Sequence, residues 1–228
     1  MNIEVLADAD AVARRGAAII AADARAAVKA RGRFVFALSG GRTPWKMMEA
    51  LALEDVPWAH VHVVQVDERI APIGHVDRNL THLNARLLEH VPLPWAQVHV
   101  MPVEARELEE EAHEYALTLA DTAGSPAILD LVHLGLGPDG HTASLLPGDS
   151  ALEERVSDVA ITGVYEGRRR MTLTLPAINR ARRVLWVVTG ADKADMLARV
   201  LNADHSIPAG RVAQERALVL ADAAAAGP

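Results

Sequence analysis

Three short apolar segments of this chain each end abruptly in a polar or glycine-rich turn. Residues 34–38 run into Ser39, residues 61–66 into Asp67, and residues 128–134 into Gly135. Unbroken apolar runs of this length are typical of strands buried on both faces of a parallel sheet. Such strands need helices to connect and cover them, so these segments constrain the fold more than any other feature.

Segments with helical spacing of apolar residues separate these strands. Helices are predicted over residues 9–31 (with Gly32 as the stop), 79–90, 104–121 and 192–201. Weaker strands are predicted over residues 98–101, 159–164, 184–188 and 217–220. The alternation indicates βαβ units, and we expect one α/β domain over residues 1–228 with a mostly parallel sheet flanked by helices.

Composition excludes several classes of function. The chain has 228 residues, 50% of them apolar, and its 23 basic and 30 acidic residues give a net charge of −7. This charge argues against nucleic acid or an anionic membrane as a partner, although a local cluster of donors can still hold an anionic substrate. The absence of cysteine excludes thiolate nucleophiles and sulfur-ligated zinc. No signal-like N-terminus or membrane-length apolar run is visible, so we expect a cytoplasmic protein.

The turn after residues 34–38 has the features of a phosphate site. Two glycines allow close backbone approach, and a following helix N-terminus presents free amides. Thr43 fits the N-cap and Pro44 the first helical position. An ordinary strand-to-helix turn is the alternative, and neither a Walker loop nor a dinucleotide fingerprint is present. The predicted phosphate-binding residues are Ser39, Gly40, Gly41, Arg42 and Thr43.

Charged residues follow the strand at residues 61–66. Asp67 is a candidate to orient a base or bind a sugar hydroxyl. Arg69 is a candidate to pair with an anion or stabilise a developing oxyanion. The alternative is an exposed charged loop.

The turn that begins at Gly135 is the most specific of the three. It leads through Gly137 and Asp139 to His141, which is predicted to open a helix over residues 142–146. A histidine at a helix N-terminus is disfavoured as imidazolium and is therefore suited to act as a general base. Asp139 is a second candidate to orient its ring. The alternative is a capped turn with a surface histidine.

Other charged residues are weaker candidates. Arg170 and Lys193 are predicted to complete an anion site, whereas Arg168 and Arg169 are better explained as solvated charges. His60 and His62 share a strand face, but no third ligand is visible at a fixed spacing, so we predict no metal site.

Together these segments resemble the 6-phosphogluconolactonase family, in a superfamily that also contains glucosamine-6-phosphate deaminase. The matching pieces occur in the family's order and cover residues 34–194. They are Ser39-Gly40-Gly41-x-Thr43-Pro44, Asp67-Glu68-Arg69, Asn79, Gly135-Leu136-Gly137-x-Asp139-Gly140-His141-x-Ala143-Ser144-Leu145-x-Pro147-Gly148, Arg170-x-Thr172-Leu173-Thr174 and Gly190-x-x-Lys193-Ala194.

The resemblance implies a modified Rossmann-like fold without a nucleotide cofactor. It implies hydrolysis of 6-phospho-D-glucono-1,5-lactone to 6-phosphogluconate in the oxidative pentose phosphate pathway. It also implies that His141 is the catalytic base. The turn at Ser39–Thr43, Arg170 and Lys193 would then form the phosphate site for this small phosphorylated lactone.

Two other functions stay open at this level. The deaminase group places a glutamate five residues after the motif histidine, where this chain has Leu146, and usually Asp-Glu-Tyr where it has Asp67-Glu68-Arg69. A non-catalytic phosphosugar-binding protein would keep the turn and the basic residues but would lose His141. The sequence leaves the oligomeric state open.

Overall fold

A parallel seven-stranded sheet forms the centre of the protein, in a computed structural model that describes residues 1–227. The strands are β1 (Asn2–Leu6), β2 (Phe34–Leu38), β3 (Val61–Gln65), β4 (Asp67–Arg69), β5 (Val98–His99), β6 (Leu131–Leu134), β7 (Val159–Ile161), β8 (Arg170–Leu173), β9 (Val184–Val188) and β10 (Ala217–Asp222). The sheet order is β1-β10-β9-β6-β2-β3-β5, and all neighbours in it are parallel. The predicted α/β class with a mostly parallel sheet is confirmed.

Helices cover both faces of this sheet. They are α1 (Ala9–Arg31), α2 (Arg42–Leu51), α3 (Asn79–Arg86), α4 (Leu108–Ala123), α5 (Leu175–Arg180), α6 (Ala194–Leu201) and α7 (Ala223–Ala226). Strand β2 shows why two layers are needed. Phe34 and Phe36 pack with α1 and α2, whereas Val35 and Ala37 pack into the opposite core. An apolar strand buried on both sides therefore requires a helical layer on each.

Helix α1 matches its predicted bounds because both ends are specified locally. The Asp8 carboxylate accepts a hydrogen bond from the Ala11 amide at 2.7 Å. Gly32 ends the helix in the left-handed region, at φ 76°. These are the N-cap and C-cap signals that a sequence displays directly.

A second, three-stranded sheet was not predicted. Strand β8 pairs antiparallel with β4 on one side and with β7 on the other. The charged loop considered for residues 67–69 is therefore a strand. Three consecutive charged residues lack the alternation of apolar and polar residues that predicts a strand. They form a strand because they pair with β8.

The helix predicted over residues 142–146 is wrong. The chain forms a tight turn there, closed by a bridge between Thr142 and Leu145, with Ala143 at φ 52°. No helix begins after His141, so the argument that the dipole of this predicted helix keeps its ring neutral fails. The short run of alanine, serine and leucine suits a helix by propensity, but contacts with β4 and β8 decide its conformation.

Other bounds differ by a few residues, mostly at strand and helix ends. The helix predicted over residues 79–90 ends at Arg86 and is followed by a short 3-10 helix at Leu88–His90. The one predicted over 104–121 is α4, and the strand predicted over 128–134 begins at Leu131. Strand β1 was not predicted. None of the helices within residues 1–227 is long and apolar enough to cross a membrane.

The connection order creates a crevice between β2 and β6. From β2 the chain proceeds to β3 on one side, and from β6 it proceeds to β9 on the other. In open parallel sheets, ligands bind beyond the carboxyl ends of the strands at such a switch point. The turns that follow β2 and β6 are the two glycine-rich turns of the sequence.

Candidate active site

A cleft of about 970 Å³ lies at this carboxyl edge of the sheet. The small sheet and the turns after β2, β6 and β9 form its walls. Ten of the eleven predicted site residues line it: Ser39, Gly40, Gly41, Arg42, Thr43, Asp67, Arg69, His141, Arg170 and Lys193. Asp139, the eleventh, bonds to His141. Residues far apart in the chain are thus brought to one site.

His141 and Asp139 form a hydrogen-bonded pair in the wall of the cleft. The Nδ1 atom of His141 lies 2.5 Å from Oδ1 of Asp139, and the His141 amide donates to the same oxygen at 3.1 Å. Partial burial would raise the pKa of Asp139, but these hydrogen bonds and the imidazole charge outweigh it and hold the pKa below its usual value. Because Nδ1 is occupied, Nε2 is the nitrogen available to a ligand.

Gly137 makes this placement of His141 possible. A Cβ atom at Gly137 would lie 2.2 Å from Nδ1 of His141, a distance that no side chain can occupy. The Gly137 amide also donates to the His141 carbonyl at 2.8 Å. The imidazole therefore packs flat against the glycine-rich turn, which takes the place of the predicted helix in fixing it.

Asp67 does not orient His141. Its Oδ2 accepts from the Ser144 hydroxyl at 2.6 Å, and its Oδ1 lies 3.2 Å from the Asn79 amide nitrogen. The sequence left both Asp67 and Asp139 open for that role, and the structure places only Asp139 on the ring. Asp67 instead joins β4 to the turn after His141.

Strand alternation separates Asp67 and Arg69 from their neighbour Glu68. Glu68 is fully buried, and its carboxylate accepts from the amides of Asn79 and Leu80 at 2.7 and 2.9 Å. It thus caps the start of α3 and also pairs with buried Arg78 at 3.1 Å. The side chains of Asp67 and Arg69 point to the other face, toward the cleft, as the period of two in a strand requires.

Two arginines lie opposite each other on the small sheet. Arg69 on β4 pairs with Arg170 on β8 in the register of the ladder. The Nε atoms of both are buried without a hydrogen-bond acceptor among the described residues. Like charges directly opposite across a sheet are destabilising, and buried donors need partners. This arrangement is suited to an anion bound in the cleft.

The turn after β2 presents free backbone amides to the cleft. Helix α2 begins at Arg42 with Gly41 at the cap, so the predicted N-cap role of Thr43 is wrong. Within residues 1–227, the amides of residues 40–43 have no acceptor. Thr43 instead shares a hydrogen bond with Thr189 after β9, 2.6 Å between hydroxyl oxygens. Amides at a helix N-terminus favour an anion.

A buried histidine supports this turn from behind. Nδ1 of His133 lies 3.3 Å from the Ser39 amide nitrogen, and the Ser39 hydroxyl donates to the His133 carbonyl at 3.0 Å. Burial lowers the pKa of His133 to about 3, so its ring is neutral at physiological pH. Ser39 is therefore anchored to β6 and its side chain is already bonded.

Further basic side chains reach the cleft at its rim. The Nζ atom of Lys193 lies 3.2 Å from Oδ2 of Asp192, and Arg42 is exposed at the start of α2. Arg168, predicted to be a solvated charge, also lines the cleft and donates to Asp77 at 2.6 Å. Arg169 pairs with Glu109 on the surface, 2.6 Å away, and is not among the residues lining the cleft.

The sequence matches a known family over most of its length. Residues 7–220 fit the profile of the family described as glucosamine-6-phosphate isomerases/6-phosphogluconolactonase. The chain belongs to this family. The resemblance seen in the separate motifs is confirmed by the match over residues 7–220.

Several members of this family are similar to the chain over most of its length. The 6-phosphogluconolactonase of Synechocystis sp. is 39% identical over 204 residues, which are 87% of this chain and 84% of that protein. The human GDH/6PGL endoplasmic bifunctional protein is 38% identical over 82% of this chain and 24% of its own length. The 6-phosphogluconolactonase structure from Thermotoga maritima superposes with a TM-score of 0.86 at 26% identity, over 97% of this chain and 98% of that one.

The family fold by itself does not separate its two chemistries. A monomeric glucosamine-6-phosphate deaminase superposes with the same TM-score of 0.86, at 21% identity and over 99% of each chain. The difference must therefore lie in the side chains. In this chain the position of the deaminase glutamate is occupied by Leu146, which is buried and supplies no acid or base to the cleft.

Three residues of this site were given no role from the sequence, although Asn79 and Ser144 belong to the motifs that match the family. Ser144 bonds Asp67, and Asn79 bonds both Asp67 and Arg69. Tyr165 lies against His141. The two glycines flanking Tyr165, at positions 163 and 167, signal a hairpin turn, but nothing local shows that the turn meets the cleft.

No group of three or more histidine, aspartate or glutamate side chains within residues 1–227 is arranged to hold a metal ion. His60 and His62 do not pair with each other. Nδ1 of His62 instead lies 3.1 Å from Nε2 of His99, on the neighbouring strand β5.

Proposed function

We propose that this protein hydrolyses 6-phospho-D-glucono-1,5-lactone to 6-phospho-D-gluconate, a step of the oxidative pentose phosphate pathway. The observation that carries the proposal is the Asp139–His141 pair at a cleft that Arg69 and Arg170 also line, with the Nε atom of each guanidinium buried and without an acceptor among the described residues. The names of the relatives, several of which are 6-phosphogluconolactonases, support the same reaction.

His141 is the general base of the proposed reaction. Asp139 accepts a hydrogen bond from Nδ1–H, so the lone pair on Nε2 is free to take a proton from a water molecule. The hydroxide equivalent attacks C1 of the lactone to give a tetrahedral oxyanion. When the C1–ring oxygen bond breaks, the imidazolium returns its proton to the leaving oxygen. The neutral ring is restored, and the product acid loses its proton to solvent.

The positive groups of the cleft stabilise the charges of the substrate and of the intermediate. The phosphate is held by the free amides at residues 40–43 together with Thr43, Arg42 and Lys193. Arg170 contributes to the same anion site. Arg69 lies beside it and is the side chain proposed to stabilise the oxyanion, because Asn79 fixes its guanidinium at 2.7 Å.

Deamination of glucosamine 6-phosphate is the competing function within the family. Ring opening and amine chemistry need acid–base groups beyond one histidine. Leu146 cannot provide one. Lactone hydrolysis needs only a positioned water, one base and stabilisation of an oxyanion, which the described side chains supply.

One set of assays on the purified protein tests the proposal. We expect acid release from the phospholactone well above spontaneous hydrolysis, no ammonia from glucosamine 6-phosphate, and much slower turnover of unphosphorylated gluconolactone. Ammonia release would assign the chain to the deaminases. Equal turnover of the two lactones would show that the amides and Lys193 do not recognise phosphate. Binding of phosphosugar without turnover of any substrate would indicate a non-catalytic binding protein.

A further inference from the structure

The turn that joins β7 to β8 projects into the active-site cleft. Tyr165 and Arg168 exchange backbone hydrogen bonds of 2.9 and 3.2 Å across it. The two residues between them, Glu166 and Gly167, have φ angles of 50° and 79°. Two successive positive φ angles are typical of a tight two-residue hairpin turn. The backbone of Tyr165 is therefore held rigidly at the edge of the site.

The Tyr165 side chain contacts three groups of the site at once. Its hydroxyl lies 3.4 Å from Oδ2 of Asp139. Its ring meets the His141 ring edge-on, with centroids 5.6 Å apart and planes at 69°. The Arg170 guanidinium lies over the Tyr165 ring, with its Cζ atom 4.9 Å from the ring centroid.

The chemistry of these contacts favours a donating phenol. Burial and the nearby carboxylates of Asp139 and Glu166 raise the pKa of Tyr165, so its hydroxyl keeps its proton. The Oδ1 atom of Asp139 is occupied by His141, which leaves Oδ2 to accept from the phenol. The short bond at Oδ1 and the longer contact at Oδ2 together restrain the carboxylate from rotating away from the imidazole.

We propose that Tyr165 is the positioning residue of this site, holding Asp139 and His141 in the orientation that keeps Nε2 free and aligning them with Arg170. The proposal rests on the function proposed above. Tyr165 acts through Asp139 and His141 and carries no proton to substrate. Its side chain belongs to neither of the two buried apolar clusters, so a role in core packing does not account for its contacts.

Two substitutions separate the hydroxyl from the ring. Tyr165→Phe keeps the edge contact with His141 and the cation–π contact with Arg170 but leaves Oδ2 of Asp139 without its donor. We expect kcat to fall about three- to tenfold, as for loss of one hydrogen bond, with KM nearly unchanged.

Tyr165→Leu removes the ring contacts as well. We expect a larger loss of kcat, on the order of 30- to 100-fold, since ring placement and the cation–π contact are lost with the hydrogen bond. Val164→Ala is the matched control: its side chain is on the same turn and exposed, and the variant should retain wild-type kinetics. Thermal unfolding of all three variants should lie close to that of the wild type.

A second measurement does not depend on the reaction. Nitrogen-15 spectra of the His141 ring should show one tautomer in the wild type, protonated at Nδ1, and a mixture of tautomers in Tyr165→Leu. The wild-type lactonase assay tests the proposed function, whereas the spectra test Tyr165 alone. A wild-type kcat and a wild-type tautomer in both variants would overturn the proposal. A rise in KM alone would also overturn it, because Tyr165 would then be a substrate contact.

Discussion

At the scale of single residues, function depends on which atom of a side chain is already bonded. The Nδ1 atom of His141 is bonded to Asp139, and only Nε2 is left for chemistry. Asp67 looks equivalent to Asp139 in sequence, yet both of its oxygens are engaged by Ser144 and Asn79. One carboxylate orients the base, and the other fixes the wall beside it.

Replacement of the proposed base tests this assignment. His141→Asn keeps some hydrogen bonding but removes the proton acceptor, so we expect kcat to fall by about 10²–10⁴ with KM and Tm nearly unchanged. His113→Asn, at an exposed position on α4, is the control. Near-normal kcat in His141→Asn would limit His141 to substrate positioning.

At the scale of elements, the turn between β2 and α2 depends on a residue from a different element. A Cβ atom at Gly40 would lie 1.9 Å from Oδ1 of Asn79 at the start of α3. Asn79 cannot yield, because it bonds Asp67, Arg69 and Glu68. Gly40 therefore serves close packing between the phosphate turn and α3 in addition to any approach of a ligand.

A double-mutant cycle measures this packing. Gly40→Ala should lower the unfolding free energy by about 1–3 kcal/mol, as overpacking does, and should lower kcat/KM because Asn79 and Arg69 are displaced. In an Asn79→Ala background the clash is removed, so adding Gly40→Ala should cost much less. Urea unfolding of the four proteins gives the coupling energy. Additive losses would show that the turn and Asn79 are independent.

At the scale of the whole molecule, the parallel sheet keeps several histidines neutral. Burial lowers the pKa of His133, in the middle of β6, to about 3. Burial also lowers the pKa of His62 and His99 on β3 and β5, and the charges of His99 and Arg33 add to the effect on His62. The folded protein therefore resists protonation at positions where the unfolded chain accepts protons freely.

Because burial lowers the pKa of these histidines, the free energy of unfolding decreases as the pH decreases. Below the ordinary histidine pKa of 6.5, the unfolded chain binds a proton at position 133 that the folded chain does not bind until about pH 3. We expect the unfolding free energy to fall through this window, with His133 contributing roughly 1 kcal/mol per pH unit. Urea unfolding from pH 7.5 to 4.5 measures the slope.

Two histidine substitutions locate the source of that slope. His133→Gln should make it shallower, whereas His113→Gln, at an exposed position, should leave it unchanged. If His133→Gln does not fold, His62→Gln tests the same sign at a half-buried position. An equal slope in the wild type and in both buried-site variants would contradict the account.

The sequence by itself determined the parts of the protein that depend on neighbours along the chain. Helix α1 carries its own caps at Asp8 and Gly32, and the apolar run of β2 indicates a strand buried on both faces. The glycine-rich turns after β2 and β6 are visible in the sequence. Because ligand sites of parallel sheets lie at the carboxyl ends of the strands, these turns were predicted to lie close together. For these reasons the fold class and ten residues lining the cleft were predictable.

Only the tertiary structure decided the features that depend on partners distant in sequence. Strand β4 exists because it pairs with β8, and the turn after His141 replaces a helix that local propensity favours. Asp139 rather than Asp67 reaches His141, and Tyr165 arrives from a hairpin tip. Local sequence fixes backbone preferences within a few residues, whereas a hydrogen bond between elements depends on how the whole chain packs.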